Sequence, residues 1–348
     1  MIYFNSDYME GAHPRILQRL AETNFEQTMG YSEDPHCERA ASLVRKACAS
    51  PDVAVHFLVG GTQSNLTVIS AALRPHQSVI SPQTGHISEH ETGAIEAVGH
   101  KVNTLPTSDG KITAEQIDAL VTAHWSDPSF EHIPQPKMVY LSYPTELGTI
   151  YSKAELEAIS TICRKHDLIL FVDGARLGYG LASPENDIDI SFLAAHCDVF
   201  TIGGTKVGAL FGEAIVIRND ALKKDFRYII KQKGGMLAKG RLLGIQFECL
   251  FEDNLYAELS NHAISLAMQL KQGLTNLGIP FLIDSPTNQQ FPILPNALIE
   301  NLKDRYSFSQ WKRMDNERTA VRICTSWATK EEAVTGLLQA IKTELARN

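Results

Sequence analysis

The chain has 348 residues, 44% of them hydrophobic and 21% charged, with a formal net charge of −8 at pH 7. That length exceeds what one hydrophobic core usually supports, so a large domain and a smaller one are expected. The acidic balance argues against nucleic-acid or acidic-membrane partners, no apolar run is long enough to cross a bilayer, and the opening Met1-Ile2-Tyr3-Phe4-Asn5-Ser6-Asp7 lacks the basic and apolar segments of a signal peptide.

In chain order, residues 54–59 (AVHFLV) read as a strand and 62–73 as the helix after it. A short strand is expected at 77–81, a helix at 89–98, and another at 112–125 from the spacing of Ile117, Leu120 and Val121. The stretch 126–136 (SDPSFEHIPQP) is a polar, Pro-containing surface loop. Residues 137–142 (KMVYLS) are strand-like. Ser152 with Glu155 three residues later resembles a capping box, opening a helix that runs to about His166. The continuous apolar run at 168–172 (LILFV) suits a strand buried on both faces of a parallel sheet. Further strands are expected at 198–202 and 214–217. From about 237 to 277 the pattern is mostly helical, and Gly278, Pro280, Pro286 and Pro292 then break it up. A strand end follows at 322–327, and 330–346 is a terminal helix. This alternation argues for a doubly wound or related α/β sheet, with ligands beyond the carboxyl ends of its strands. We expect a large domain over 1–252 and a small one over 253–348. Cys37, Cys48, Cys163, Cys197, Cys249 and Cys324 form no CxxC pair, which reads as reduced thiols in a cytosolic protein.

Four signals fall at strand ends. Gly60-Gly61-Thr62-Gln63-Ser64-Asn65 puts small residues at a strand-to-helix turn, where free N–H groups favour an anion such as phosphate. Gly-rich turns are common, and this one is neither GxGxxG nor a Walker loop. His86, in Thr84-Gly85-His86-Ile87-Ser88-Glu89-His90, spells HxxEH with His90, an inverted-zincin pattern. The pattern is short and opens a helix, so a ring-stacking role for His86 suits it better, beside the plainer reading of two surface histidines. Asp173, in Phe171-Val172-Asp173-Gly174-Ala175-Arg176, ends a buried strand and could pair with a protonated pyridine nitrogen, or could cap the next helix. Lys206 stands among small and apolar residues in Phe200-Thr201-Ile202-Gly203-Gly204-Thr205-Lys206-Val207-Gly208. Desolvation there would expose a neutral amine fit for Schiff-base chemistry, whereas a lone lysine more commonly snorkels to solvent.

The four together, in the order phosphate turn, histidine, aspartate, lysine, are far more specific than any one. With Asn5-Ser6-Asp7, Gly30-Tyr31-Ser32-Glu33-Asp34-Pro35, GGTQSN, Asp173-Gly174-Ala175-Arg176 and Thr205-Lys206, the sequence resembles the threonine aldolase and β-eliminating lyase family over nearly its whole length. That family is a branch of the fold-type I enzymes that use pyridoxal 5′-phosphate. The resemblance implies a mostly parallel central sheet with helices on both faces and a smaller C-terminal α+β domain. It implies that Lys206 holds the cofactor as a Schiff base, Asp173 bonds the pyridine nitrogen, His86 stacks on the ring, and Gly61 and Thr62 bind the phosphate. Ser6, Arg176 and Arg322 would hold the substrate carboxylate, for which a guanidinium fork is well shaped. It also implies a homodimer or homotetramer with the site between subunits, where Tyr31 and basic residues such as Lys233 and Lys239 reach a neighbour's site.

One departure stands out. Many family members carry a histidine in an Asn-Thr-His type segment, where this chain has Tyr143-Pro144-Thr145-Glu146-Leu147-Gly148. Glu146 takes that place and could accept the substrate β-hydroxyl proton, or be a turn residue only. The implied activity is retro-aldol cleavage of L-threonine or a related β-hydroxy-α-amino acid to glycine and an aldehyde. The rivals are β-elimination, transamination or racemisation on the same scaffold, a metal hydrolase built on His86, Glu89 and His90, and a catalytically silent binding protein.

Overall fold

Seven strands form one sheet in the computed structural model, which describes residues 1–347. They are β1 (Ala54–Leu58), β2 (Gln77–Pro82), β3 (Val102–Leu105), β4 (Gln135–Ser142), β5 (Ile169–Asp173), β6 (Val199–Gly203) and β7 (Glu213–Ile217). Their spatial order is β1-β7-β6-β5-β4-β2-β3. All neighbours are parallel except β7, which runs antiparallel to both β1 and β6. Every residue of β5, β6 and β7 is buried, because both faces are covered.

Eight longer helices clothe the sheets: α1 (Pro14–Glu22), α2 (Pro35–Ala47), α3 (Gly61–Ala72), α4 (Ala114–Ser126), α5 (Lys153–Lys165), α6 (Arg241–Phe251), α7 (Leu255–Asn276) and α8 (Glu331–Leu345). Val44 of α2, Ile117 of α4, Ile159 of α5 and Phe247 of α6 pack on one face with Leu141, Val172 and Phe200. Val68 and Ile69 of α3 cover the other face with Tyr140, Phe171, Ile215 and Ile217. The expected capping box at Ser152 is present with both of its bonds, and Thr113 with Gln116 forms a second one. A smaller sheet is built on β11 (Arg318–Cys324), antiparallel to β8 (Gln289–Gln290), β9 (Ile293–Pro295) and β10 (Ser309–Arg313). Its core takes in Phe4, Leu270, Leu298, Val321 and Leu337. Helix α7 is shared, with Leu259 and Ala263 in the core of the large sheet and Leu266 to Leu274 in the small one.

The structure redraws some expected elements. The helix read over 89–98 is two short pieces, His86–Glu89 and Ala94–Ala97, because Thr92 (φ 53°) and Gly93 (φ 70°) are left-handed. That turn swings Glu91 back toward His86, so a local helical pattern gives way to a tertiary contact. The helical stretch 237–277 is broken at Asp253 and Asn254, both left-handed, into α6 and α7. Helices α1 and α2 and strand β3 carry no sequence reading of their own above.

Candidate active site

The parallel strands end together, and the polar residues follow them there. Asp173 is the last residue of β5 and Lys206 lies three residues beyond β6. Gly60 and Gly61 begin α3 just past β1. The two strand ends approach closely: a Cβ on Gly174 would lie 2.0 Å from the Thr201 carbonyl oxygen, so only glycine serves after Asp173. A cavity of about 310 Å³ opens at this edge. Gly61, Thr62, His86, Glu146, Asp173, Arg176 and Lys206 all line it. Ser6 and Arg322 do not. Arg322 is on β11, where its Nη2 donates to the Asn5 carbonyl at 3.0 Å and its guanidinium lies 5.2 Å from the Trp311 ring centre.

Asp173 is 5% exposed and held on three sides. Its Oδ2 accepts from Asn65 Nδ2 at 2.9 Å and from the Tyr140 hydroxyl at 2.7 Å, and its Oδ1 accepts from the Ala175 N–H at 2.9 Å. Burial alone would raise its pKa, but His86 and these donors hold it below the ordinary carboxylate range. Asn65 also donates to Glu91 Oε1 at 2.7 Å, and that oxygen lies 2.8 Å from His86 Nδ1. A chain Asp173–Asn65–Glu91–His86 therefore ties the carboxylate to the imidazole. Burial would lower the pKa of His86, yet the Glu91 bond and the Asp173 charge raise it overall.

Lys206 has its pKa lowered, first by burial and then by Arg176, while Asp7, Glu213 and Asp173 act against the shift. Arg176 gives its Nε and Nη2 to Asp7, at 2.6 and 3.0 Å, leaving Nη1 without a protein partner. Asp7 is fully buried. Burial would raise its pKa, but Arg176, Lys206 and Asn288 hold it at about 2. Glu146 Oε1 accepts from Ser142 Oγ at 2.5 Å and from the His86 N–H at 2.9 Å, while its Oε2 has no partner. Burial raises its pKa against those bonds. At α3 no side chain caps the helix, and a Cβ on Gly60 or Gly61 would meet nothing within 4 Å. An uncapped helix start facing open space is a ready anion cradle.

The set suits pyridoxal phosphate: an uncapped helix start for the phosphate, an ionised buried carboxylate for the ring nitrogen, and an amine whose charge is disfavoured. Asn65, Tyr140, Glu91, Asp7 and Glu213 have no role in the sequence reading above. Asn65 sits inside the quoted GGTQSN, and Glu213 is a lone carboxylate opening the apolar run EAIVI, so both left a trace. Glu91 and Tyr140 left none, because nothing local shows that they face Asp173 and His86.

A profile of the family described as "Beta-eliminating lyase" matches residues 4–296. The chain is 31% identical to the low specificity L-threonine aldolase of Pseudomonas aeruginosa, over 97% of this chain and 96% of that one. Among solved structures, one described as an initial structural analysis of Leishmania major threonine aldolase superposes with a TM-score of 0.96 at 46% identity, covering 99% of each chain. Aspartate aminotransferase from Thermus thermophilus (16% identity, TM-score 0.71, covering 99% of this chain and 91% of that one) shares the fold.

Proposed function

This chain belongs to the β-eliminating lyase family, and on that footing we propose that it is a pyridoxal-phosphate-dependent aldolase. Its substrates would be L-threonine or related β-hydroxy-α-amino acids, cleaved to glycine and an aldehyde. The observation that carries this reading is the meeting of Lys206, Asp173 and the Gly61 helix start in one cavity. Two relatives, at 31% and 46% identity over nearly the whole chain, are named as threonine aldolases.

When bound, the cofactor supplies an aldehyde for an amine to condense with and a ring that takes up the electron pair released at the substrate α-carbon. Lys206 would hold it through Nζ, Asp173 would keep its ring nitrogen protonated, and His86 would lie against the ring. Gly61 and Thr62 would hold the phosphate. Arg176, through its open Nη1 edge, would fix the substrate carboxylate and so select which bond to the α-carbon is broken, and Ser6 and Arg322, whose Nε has no partner, would join it from outside the cavity lining. Glu146 would take the β-hydroxyl proton on Oε2. Its raised pKa makes it a stronger base than an ordinary carboxylate, and the Ser142 and His86 donors on Oε1 aim it. Loss of that proton turns the hydroxyl into the aldehyde as the Cα–Cβ bond breaks.

The assembly we propose is a homodimer or homotetramer with the site at a subunit interface. Phe25 (93% exposed), Met29 and Tyr228 are large exposed side chains of the kind such an interface would cover. The compartment we propose is the cytosol, supported by six buried, unpaired cysteines. No helix among the described residues is long and apolar enough to cross a membrane.

The test is to incubate the purified protein with L-threonine and with L-allo-threonine and assay glycine and acetaldehyde. We expect both products in equal amounts. Ammonia with a keto acid would establish elimination instead, and no aldehyde from any β-hydroxy amino acid would reject the aldolase.

A further inference from the structure

Glu213 is a carboxyl group that no step above uses. It opens β7 and pairs in register with Leu58 of β1 on one side and Gly203 of β6 on the other. That places it between the helix start at Gly61 and the lysine at 206. Alternation along β7 puts its side chain on the same face as Ile215 and Ile217, the face covered by α3. Asp173 shares that face with Phe171. Glu213 is 3% exposed, lines the same cavity as Lys206, and its Oε2 has no hydrogen-bond partner. Buried carboxyls of purely structural purpose are normally satisfied, as an uncompensated one is costly.

The groups that face it are few. The Lys206 ammonium, the Asp173 carboxylate, the Thr205 hydroxyl and the Tyr256 phenol act on it. Arg176 and Asp7 also act on Lys206. Arg176 and Asp7 already neutralise each other, and Asp173 is saturated by Asn65, Tyr140 and Ala175. His86 is paired with Glu91, so among the described residues Lys206 is the cation in the cavity that Glu213 is placed to balance.

We propose that Glu213 is a positioning residue for Lys206: its carboxyl, lining the same cavity without a hydrogen bond to that nitrogen, acts through space to keep the nitrogen at 206 protonated to a higher pH than burial alone would allow. This rests on the reading that Lys206 holds the cofactor. The direction of each group's titration agrees. Burial pushes Glu213 up to about 8, against the pull of Lys206, and Glu213 in turn raises the pKa of Lys206.

The experiment follows the visible absorbance of the cofactor-loaded protein as pH is raised, for wild type, Glu213→Gln and Glu213→Asp. A bound chromophore in the wild type that borohydride fixes to Lys206 establishes the cofactor reading by itself. Loss of a neighbouring negative charge lowers the pKa of a cation, so the colour change of E213Q is expected about one pH unit or more below that of wild type. E213D, which keeps the carboxyl, is expected to stay near the wild-type value. Identical titrations for wild type and E213Q would overturn the proposal while leaving the cofactor reading intact. Should E213Q purify colourless, cyanate labelling of Lys206 in the full chain across pH, read by mass spectrometry, replaces it. Labelling that sets in at lower pH than in cofactor-free wild type supports the proposal, and labelling at the same pH overturns it.

Discussion

Among the described residues, two buried clusters of charge are solved in opposite ways. Between α1, α2 and α6, Glu248 is 2% exposed, yet every acceptor is used: Arg39 Nε at 2.7 Å, His36 Nδ1 at 2.8 Å and Arg19 Nη1 at 3.4 Å. His36 passes the contact on to Glu26 at 2.8 Å. Burial would raise the pKa of Glu248, but Arg39 and His36 lower it overall. At the carboxyl ends of the strands, Glu146 and Glu213 are as deeply placed but each leaves an oxygen without a partner, and burial raises both. The first cluster fastens helices together. The second leaves carboxyls that burial makes harder to ionise and that keep an open oxygen facing the cavity, at a cost in stability.

The largest break in that comparison comes from Lys206. Lys206→Ala is expected to cut turnover of L-threonine at least about 1000-fold, or about 4 kcal/mol of barrier, with the fold intact by circular dichroism. Next is Glu146→Gln, which keeps the shape but loses the base. We expect roughly a 100-fold loss in kcat with little change in KM. The same group gives the pH profile a sign. A base must be ionised, so activity should fall on the acid side, and the raised pKa of Glu146 places that limb above the usual carboxylate range. A profile of kcat against pH with no acid limb above that range would break the assignment.

Glu248→Gln sharpens the comparison from the other side. Removing a charge that Arg39, Arg19 and His36 surround should cost about 2 kcal/mol in urea unfolding, a figure held down because Arg39 is half exposed. Turnover per folded molecule should be unchanged. The last effect we expect is pH-limited. Folded Asp7 titrates at about 2 against a reference value of 3.8. A depressed carboxylate contributes stability that is fully present above 3.8 and is lost as pH falls through 2. Asp7→Asn should therefore lower unfolding free energy by about 2 kcal/mol at neutral pH, and the difference should vanish near pH 2.

Much of this was legible in the chain itself, for reasons that differ by residue. Strands such as β5 declare themselves because burial on both faces demands an unbroken apolar run. Asp173, Lys206 and Gly61 are conspicuous because each interrupts such a run at a strand end. Glu91 was not legible: its segment has helical spacing, and only the left-handed turn at Thr92 and Gly93 brings it to His86 and Asn65. Tyr140 looked like any core aromatic, since its hydroxyl partner Asp173 is 33 residues away. The family resemblance gave Arg176 a carboxylate to hold, but its two bonds to Asp7 depend on the N-terminal segment folding back against the end of β5.

The central matter is whether the amine at position 206 carries the cofactor. Treating the purified, coloured protein with borohydride and digesting it should yield one peptide bearing a reduced pyridoxyl group on Lys206, with the visible band lost in step. A protein without that band, or a label found on any other lysine, would contradict the assignment.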